Sequence, residues 1–170
     1  LGFDWLVVDA EHVPIDTRDT YHILQAIAGT DAVPVVRLAW NDPVMVKRTL
    51  DIGAQTLMFP FVQSAAEAER AVAATRYPVA GESTPGQRGF AAMHRASRYA
   101  TVPDYGARAN AGIFRMIQLE TPEALAQLEV IAAVEGVDAL FIGPGDLSAA
   151  LGQIGNIAHE SVQAALKDAA

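Results

Sequence analysis

Short runs of apolar residues recur along the chain, and within each run the apolar positions are nearly continuous. A strand with one face in water alternates apolar and polar residues, whereas a strand covered on both faces is apolar throughout. The pattern therefore predicts the strands of a parallel sheet at five places: Trp5–Val8, Pro34–Val36, Leu57–Val62, Phe114–Leu119 and Ala139–Ile142.

Helix-start signals occupy the stretches between these runs. Ser64 and Glu67 have the spacing of a capping box, and Thr121 precedes a proline that suits the first helical position. Asn41-Asp42-Pro43 opens a third helix in the same way. A strand followed by a helix, repeated along the chain, predicts right-handed crossover units and the α/β fold class.

One connection departs from this rhythm. The stretch 77–112 is rich in glycine and proline and carries no clear helix or strand pattern. Connections this long are uncommon in compact domains and often serve as lids or binding loops. The stretch is therefore predicted to be functional.

Composition narrows the class of protein. A chain of 170 residues with 51% hydrophobic and 19% charged residues predicts one globular domain, spanning 1–170. The net charge of −8 disfavours nucleic acid and anionic membranes as partners. There is no cysteine, which excludes disulfides and a thiolate nucleophile.

The sequence also suggests a location and an extent for the chain. No apolar run approaches the ~18 residues of a membrane span, and the start does not resemble a signal peptide, so a cytoplasmic location is expected. Residue 1 is Leu, almost inside a strand, and 161–170 is a helix-like run. The chain is expected to be truncated at both ends.

Polar side chains follow four of the five predicted strands. In parallel α/β proteins, ligands bind at the carboxyl ends of the strands, so these side chains predict one site. Each has an ordinary alternative. Glu120 could be an acid in a first helical turn, Asp146 an N-cap, Arg37 a structural ion-pair partner and His12 an exposed histidine.

The residue types indicate a chemistry. The carboxylates of Glu120 and Asp146 suit a hard divalent cation such as Mg²⁺ or Mn²⁺. Arg37 offers a planar fork for a carboxylate or for developing enolate charge, and His12 can act as a base near neutral pH. Asp51 ends a helix, where the dipole disfavours an anion, so it is expected to need a partner, with His12 as the candidate. The backbone of 143–145 (Gly-Pro-Gly) could present N–H groups to an anion.

The chain resembles the HpcH/HpaI aldolases, a family of metal-dependent pyruvate aldolases. The family fold is a TIM (β/α)8 barrel of roughly 250 residues, so the resemblance implies a partial barrel of about five βα units. The matching stretches cover nearly the whole chain in order: GFDWLVVDAEH (2–12), PVVRLAWNDP (34–43), TLDIGAQTLMFPFVQ (49–63), ATRYP (74–78), RGFAAMHRASRY (88–99), MIQLET (116–121) and EGVDALFIGPGDLSAALG (135–152).

This resemblance implies a reaction and a role for each candidate residue. Family members reversibly cleave 4-hydroxy-2-oxo acids to pyruvate, or a related 2-oxo acid, and an aldehyde, through an enolate stabilised by a divalent metal. His12 would be the base, with Asp51 increasing its basicity, and Arg37 would stabilise the enolate-like transition state. The implied metal ligands are Glu120 and Asp146, for Mg²⁺ or Mn²⁺ and less readily Co²⁺ or Zn²⁺; the implied substrate contacts are Gln118, Gly145, Asp146 and Arg37.

The motifs point to two different substrate branches of the family. RGFAAMHRASRY resembles 2-dehydro-3-deoxyglucarate aldolases, whereas Trp40-Asn41-Asp42 resembles 4-hydroxy-2-oxoheptanedioate aldolases. The stretch VAGESTPGQ (79–87) is longer than the usual family turn. Diacid substrates would suit the cations Arg88, Arg95 or Arg98 on the long connection. The family resemblance also implies a homo-oligomer, hexameric at full length.

Three alternatives stay open or are set aside. A citrate-lyase-like enzyme acting on a coenzyme A ester would need a concentrated basic groove, which the sequence does not display. A non-catalytic fragment could keep the motifs without the barrel, and an isolated five-stranded slice is expected to be unstable or to aggregate. A phosphate-binding doubly wound domain would need a glycine-rich loop after the first strand, where residues 9–15 read DAEHVPI.

Overall fold

The computed structural model describes residues 2–81 and 85–170. Its strands form one five-stranded parallel sheet in the order β1 to β5, so each strand lies beside its neighbours in the chain. This arrangement is the partial βα barrel that the sequence predicts. The strands are β1 (Trp5–Asp9), β2 (Val33–Arg37), β3 (Thr56–Phe59), β4 (Phe114–Leu119) and β5 (Ala139–Ile142).

Helices connect the strands. They are α1 (Thr17–Ile27), α2 (Pro43–Asp51), α3 (Ala65–Thr75), α4 (Tyr105–Arg108), α5 (Pro122–Leu125), α6 (Leu128–Ala132), α7 (Pro144–Ala150) and α8 (Glu160–Asp168), with 3-10 helices at Arg95–Ser97 and Ala109–Gly112. Within the described residues, none of them is both long enough and apolar enough to span a membrane.

The predicted helix starts are confirmed. Asp42, Ser64 and Thr121 each accept backbone N–H groups from the first turn of the helix that follows. The capping box is only half formed, because Glu67 accepts the N–H of Gln63 at 2.8 Å rather than that of Ser64. These starts set the direction in which each helix leaves the carboxyl end of its strand.

The third strand is shorter than the apolar run predicts. It ends at Phe59 rather than Val62. Pro60 has no N–H for the sheet, and Phe61 adopts a left-handed backbone conformation with φ 53°. The chain therefore turns at the carboxyl end of β3, close to the predicted site.

The core lies between the central strands and the helices. Val36, Leu57 and Ile117 are at most 1% exposed and pack against buried residues of α2 and α3. Burying each such side chain contributes about 1.5–3 kcal/mol. The edge strand β1 departs from the predicted covering on both faces, because Trp5 is 50% and Val7 43% exposed.

The described parts of the long connection, 77–81 and 85–112, lie at the amino-terminal end of the sheet. The connection runs from the end of α3 to the start of β4, and its backbone is bonded back to the end of α3, with Gln87 N–H on the Ala73 carbonyl at 2.8 Å. It therefore cannot act as a lid over the carboxyl ends of its own chain's strands. The unusual stretch 79–87 falls partly outside the described residues.

Candidate active site

The carboxyl ends of β1 and β2 are joined by an ion pair. Asp9 and Arg37 are partners in the sheet register. Arg37 Nε donates to Asp9 Oδ1 at 3.0 Å and Nη2 to Oδ2 at 2.6 Å, a two-pronged arrangement that fixes the guanidinium plane. The alternative reading of Arg37 as a structural ion-pair partner is therefore correct for two of its nitrogens. The third, Nη1, lies 3.3 Å from Glu11 Oε2.

Asp9 is held in its charged form. Burial alone would raise its pKa, but hydrogen bonds from Arg37 and from the backbone N–H groups of His12 and Glu11 lower the pKa below its ordinary value. The two N–H contacts, at 3.0 and 3.2 Å, also set the turn that follows β1. Asp9 thus positions Arg37, Glu11 and His12.

Glu11 is the acid beside His12. Its Oε2 lies 3.7 Å from His12 Nε2, while the His12 side chain is 59% exposed. Glu11 Oε2 is buried and has no hydrogen-bond partner among the described residues. The pKa of Glu11 is raised above its ordinary value, chiefly by burial. The negative charges of Asp146 and Asp9 also raise this pKa, whereas the positive charges of Arg37 and His12 lower it. Sequence reasoning omitted Glu11 from the site, although it adjoins the histidine in the same stretch.

Glu120 is the most buried acid of the site, with 2% of its surface exposed. It precedes the N-cap Thr121, so it is not an acid of the first helical turn. Its Oε2 accepts the N–H of Phe61 at 3.0 Å, and its Oε1 accepts from Gln118 Nε2. Gln118 is itself buried, and its Oε1 has no partner among the described residues.

The charge state of Glu120 depends on neighbouring acids. Burial raises its pKa most, and the like charges of Glu11 and Asp146 raise it further, against the hydrogen bonds from Phe61 and Gln118. The structure therefore brings together three carboxylates whose mutual repulsion a cation would relieve.

The stretch after β5 departs from its predicted role. Gly143 N–H donates to the Leu119 carbonyl at 2.9 Å within the sheet, and Pro144 has no N–H, so these two residues offer no anion cradle. A side chain at Gly145 would meet nothing within 4 Å, which leaves open space there. Asp146 is exposed in the first turn of α7 but is not its N-cap, which is Gly143.

The donor set fits a hard cation that keeps water ligands. Among the described residues, no group of three His, Asp or Glu side chains could hold a metal ion. Glu120 and Asp146 together offer carboxylate oxygens with like-charge repulsion. Mg²⁺ commonly uses one or two carboxylates and retains several waters, whereas zinc prefers nitrogen and sulfur ligands. The residues present therefore suit Mg²⁺ or Mn²⁺.

Asp51 lies away from this site. Its Oδ1 is 2.8 Å from Arg88 Nη2 and 3.7 Å from His94 Nε2. It ends α2 at the amino-terminal end of the sheet, whereas His12 follows the carboxyl end of β1. A five-residue strand spans roughly 16 Å. The structure does not bring Asp51 to the His12 of the same chain.

The cations of the long connection also lie at the amino-terminal end. Arg88 is buried with Asp51, and Arg95, Arg98 and Arg108 line a cavity of about 630 Å³ beside residues 53–55. A concentrated basic groove therefore exists, which the sequence did not reveal. Arg88, Arg95 and Arg98, the cations suggested for a diacid substrate, occupy the opposite end of the sheet, so the structure does not bring them to the site of their own chain.

Fold and site together define a class of protein. The chain consists of successive βα units, and acids, an arginine and a histidine lie at the carboxyl ends of its strands. βα-barrel proteins bind their ligands at this end of the barrel. The family model of the HpcH/HpaI aldolase/citrate lyase family matches residues 1–170, and the chain belongs to this family. The resemblance seen in the sequence is confirmed.

Individual relatives are similar over almost the whole chain. A 2-dehydro-3,6-dideoxy-6-sulfogluconate aldolase of Pseudomonas putida is 58% identical over 168 residues, which are 99% of this chain and 64% of the relative. A 4-hydroxy-2-oxo-heptane-1,7-dioate aldolase of Salmonella dublin is 51% identical over 99% of this chain and 62% of its own length. The chain thus spans less than two thirds of these relatives.

A solved structure agrees with the fold. An HpcH/HpaI aldolase/citrate lyase family protein from Burkholderia cenocepacia J2315 is similar with a TM-score of 0.95 and 43% identity, covering 99% of this chain and 66% of that one. An HpcH/HpaI aldolase from Desulfitobacterium hafniense DCB-2 has a TM-score of 0.86 and 33% identity, over 99% of this chain and 63% of its own.

Proposed function

We propose that this chain carries the active site of a divalent-metal-dependent aldolase. The reaction is reversible cleavage of a 4-hydroxy-2-oxo acid to pyruvate, or a related 2-oxo acid, and an aldehyde. The observation that carries the proposal is Glu120, a buried acid whose pKa is raised by burial and by Glu11 and Asp146. A site that concentrates negative charge beside Arg37 is suited to a cation and a 2-oxo acid.

The metal would be held by Glu120 and Asp146. When bound, it supplies a Lewis acid for the 2-oxo group, which stabilises negative charge on that oxygen. Arg37, anchored by Asp9, keeps Nη1 free of hydrogen bonds to Asp9 and directed toward the acids, where it can bind the enolate oxygen or the carboxylate of the substrate. Gln118, whose Oε1 has no partner among the described residues, and Gly145, which adjoins open space, are the proposed substrate contacts.

His12 is the proposed base. It would remove the proton of the C4 hydroxyl, directly or through a water molecule. The C3–C4 bond then breaks, C4 becomes the carbonyl of the aldehyde, and the electron pair passes to the enolate of the 2-oxo acid. Glu11 Oε2, 3.7 Å from His12 Nε2, is the acid placed to orient the ring.

The proposed substrate carries a second anionic group at its far end. The two similar relatives are named for a sulfogluconate and for a heptanedioate, which share this feature. Two nitrogens of Arg37 are already committed to Asp9, so the distal group needs a further cation. The aldehyde with a terminal sulfonate or carboxylate is therefore the product class to test.

A homo-oligomer is part of the proposal. If Asp51 acts on His12, the two residues must come from different copies, because one chain holds them at opposite ends of the sheet. A cytoplasmic location and small-molecule partners, without nucleic acid, complete the proposal.

Exchange of the methyl protons of pyruvate for deuterium, followed by NMR, tests the enolate half of the reaction. The chain is assayed with Mn²⁺ or Mg²⁺, and with EDTA. Exchange is expected to need the metal, to be lost in Glu120→Gln, and to survive in the matched control Glu135→Gln, an exposed acid beyond α6. Exchange that persists in EDTA or in Glu120→Gln would exclude this mechanism.

A citrate-lyase-like activity is the second candidate. The cavity lined by Arg95, Arg98 and Arg108 supports it, since a nucleotide needs cations. The cavity lies at the opposite end of the sheet from Glu120, which favours the aldolase. Cleavage of a citramalyl- or citryl-type coenzyme A ester, assayed beside the pyruvate exchange, separates the two.

A further inference from the structure

Phe61 has a backbone conformation that large side chains rarely adopt. Its φ is 53°, in the left-handed region that favours glycine. Bulky residues persist there only when the surroundings hold them, and such residues are concentrated at functional sites. Phe61 stands directly after Pro60, at the carboxyl end of β3.

Two contacts hold Phe61 in place. Its N–H donates to Glu120 Oε2 at 3.0 Å. Its ring stacks on that of Trp40, which follows β2, with centroids 6.0 Å apart and an interplanar angle of 27°. The residue is 36% exposed, so burial alone does not explain the conformation.

The hydrogen bond supplies what the buried carboxylate otherwise lacks. Glu120 Oε1 already accepts from Gln118, and Phe61 is the donor to Oε2 among the described residues. The φ angle sets the direction of the N–H relative to the residue's own side chain and to the chain that follows. With the ring against Trp40 and Val62 N–H bonded to the Gln118 carbonyl at 3.3 Å, a left-handed Phe61 therefore points its N–H to a different side from an extended Phe61. The strained backbone therefore decides how the second oxygen of Glu120 is oriented.

We propose that Phe61 is a positioning residue for the metal ligand Glu120. Its left-handed backbone aims the N–H at Oε2, and stacking on Trp40 keeps that backbone in place. Partners that orient a ligating carboxylate are expected to affect metal affinity 10–100-fold. The inference rests on the proposed function in placing the metal at Glu120.

Mn²⁺ binding to the chain, followed by the electron paramagnetic resonance of free Mn²⁺, tests the proposal. Phe61→Val disfavours the left-handed conformation and is expected to weaken Mn²⁺ binding by about 10–100-fold. Phe61→Gly favours that conformation without the ring and is expected to stay within about five-fold of the original chain. Phe3→Val, which changes a 61% exposed phenylalanine before β1, is the matched control and should bind as the original does.

The outcomes separate the two proposals. Equal Mn²⁺ affinity in Phe61→Val and the original chain overturns the positioning role and leaves the aldolase proposal intact. Glycine and valine variants that are equally weak also overturn it, because the ring rather than the backbone would then matter. Absence of Mn²⁺ binding by the original chain overturns both proposals. Circular dichroism checks folding, and if Phe61→Val is unfolded, Phe61→Ala replaces it in the comparison with glycine.

Discussion

Replacing Glu120 by glutamine tests how much its buried charge destabilises the metal-free fold and how much the same charge contributes to metal binding. The side chain is 2% exposed, and burial together with Glu11 and Asp146 raises its pKa above the ordinary value. Without a cation, the charged form therefore opposes folding. Glu120→Gln keeps the size of the side chain and removes the charge.

The new amide can be accommodated without losing a buried hydrogen bond. Its oxygen can accept the N–H of Phe61 in place of Oε2. The amide of Gln118 can rotate so that its oxygen, which now has no partner among the described residues, accepts from the new NH₂ group. The Gln118 NH₂ group then takes the place of the oxygen that has no partner, so the number of unpaired buried groups stays the same. Because a buried charge is removed at no net loss of hydrogen bonds, Glu120→Gln is expected to stabilise the metal-free chain at pH 8 by on the order of 1 kcal/mol.

The direction of the pH dependence follows from the raised pKa of Glu120. A carboxyl whose pKa is higher in the folded state contributes stability below its unfolded pKa and loses it as pH rises through its folded pKa. The advantage of Glu120→Gln should therefore be largest at pH 8 and shrink toward the ordinary glutamate pKa of about 4.3.

If Glu120 holds the metal as proposed, Mn²⁺ is expected to reverse the order of stability. A ligand at 100 times its dissociation constant stabilises a folded protein by about 2.7 kcal/mol. Removing one unit of charge about 4 Å from a divalent cation costs at least about 4 kcal/mol, which is at least roughly a thousand-fold in affinity. Mn²⁺ should stabilise the original chain and leave Glu120→Gln unchanged.

Urea unfolding followed by circular dichroism, at pH 6 and pH 8, with EDTA or Mn²⁺, measures these differences. Glu135→Gln serves as the control for the loss of one charge. A variant that is less stable than the original at pH 8 in EDTA, or that gains as much from Mn²⁺, would refute the reasoning about Glu120.

Three further substitutions have defined outcomes. Gly143→Ala would bring a Cβ into overlap with Glu120 Oε1 and within 2.8 Å of Glu120 Cγ, so we expect at least about ten-fold weaker Mn²⁺ binding by calorimetry. Unchanged binding would mean that Glu120 shifts freely. Asp9→Asn breaks the pair with Arg37, whose two side chains are each about one-fifth exposed, and should lower the free energy of unfolding in urea at pH 7 by about 1–2 kcal/mol. This difference should disappear on acidification below the lowered pKa of Asp9. Arg115→Met removes the guanidinium of a 4% exposed residue, which donates to Thr75 and to backbone carbonyls. It should lower the free energy of unfolding, measured by heat or urea, by about 3 kcal/mol, and a change under about 1 kcal/mol would contradict the structural role of Arg115.

Features that depend on neighbouring residues in the chain were predictable. The apolar runs marked all five strands, and Asp42, Ser64 and Thr121 marked helix starts, because capping is decided within one turn. The end of β3 was missed by three residues. Pro60 is a sequence signal for the break, but the left-handed conformation of Phe61 has no signature in an apolar run.

Contacts across the sheet were less predictable. Parallel strands placed Arg37 and Glu120 at one end, as expected, but the acid beside His12 is Glu11 rather than Asp51. Reading Asp51 as the residue that ends α2 would have placed it at the other end of the sheet. The pairing of Asp9 with Arg37 needed the register of β1 against β2.

The amino-acid sequence by itself determined the βα order, the family and which strand ends carry acid, arginine and histidine, because these follow from local periodicity and strand direction. Only the tertiary structure decided that the acids raise one another's pKa, that Asp9 holds Arg37, that Phe61 holds Glu120, and that the long connection lies at the far end. Electrostatic coupling and hydrogen bonding depend on distances of a few ångströms between residues far apart in the chain, and those distances exist only once the sheet has formed.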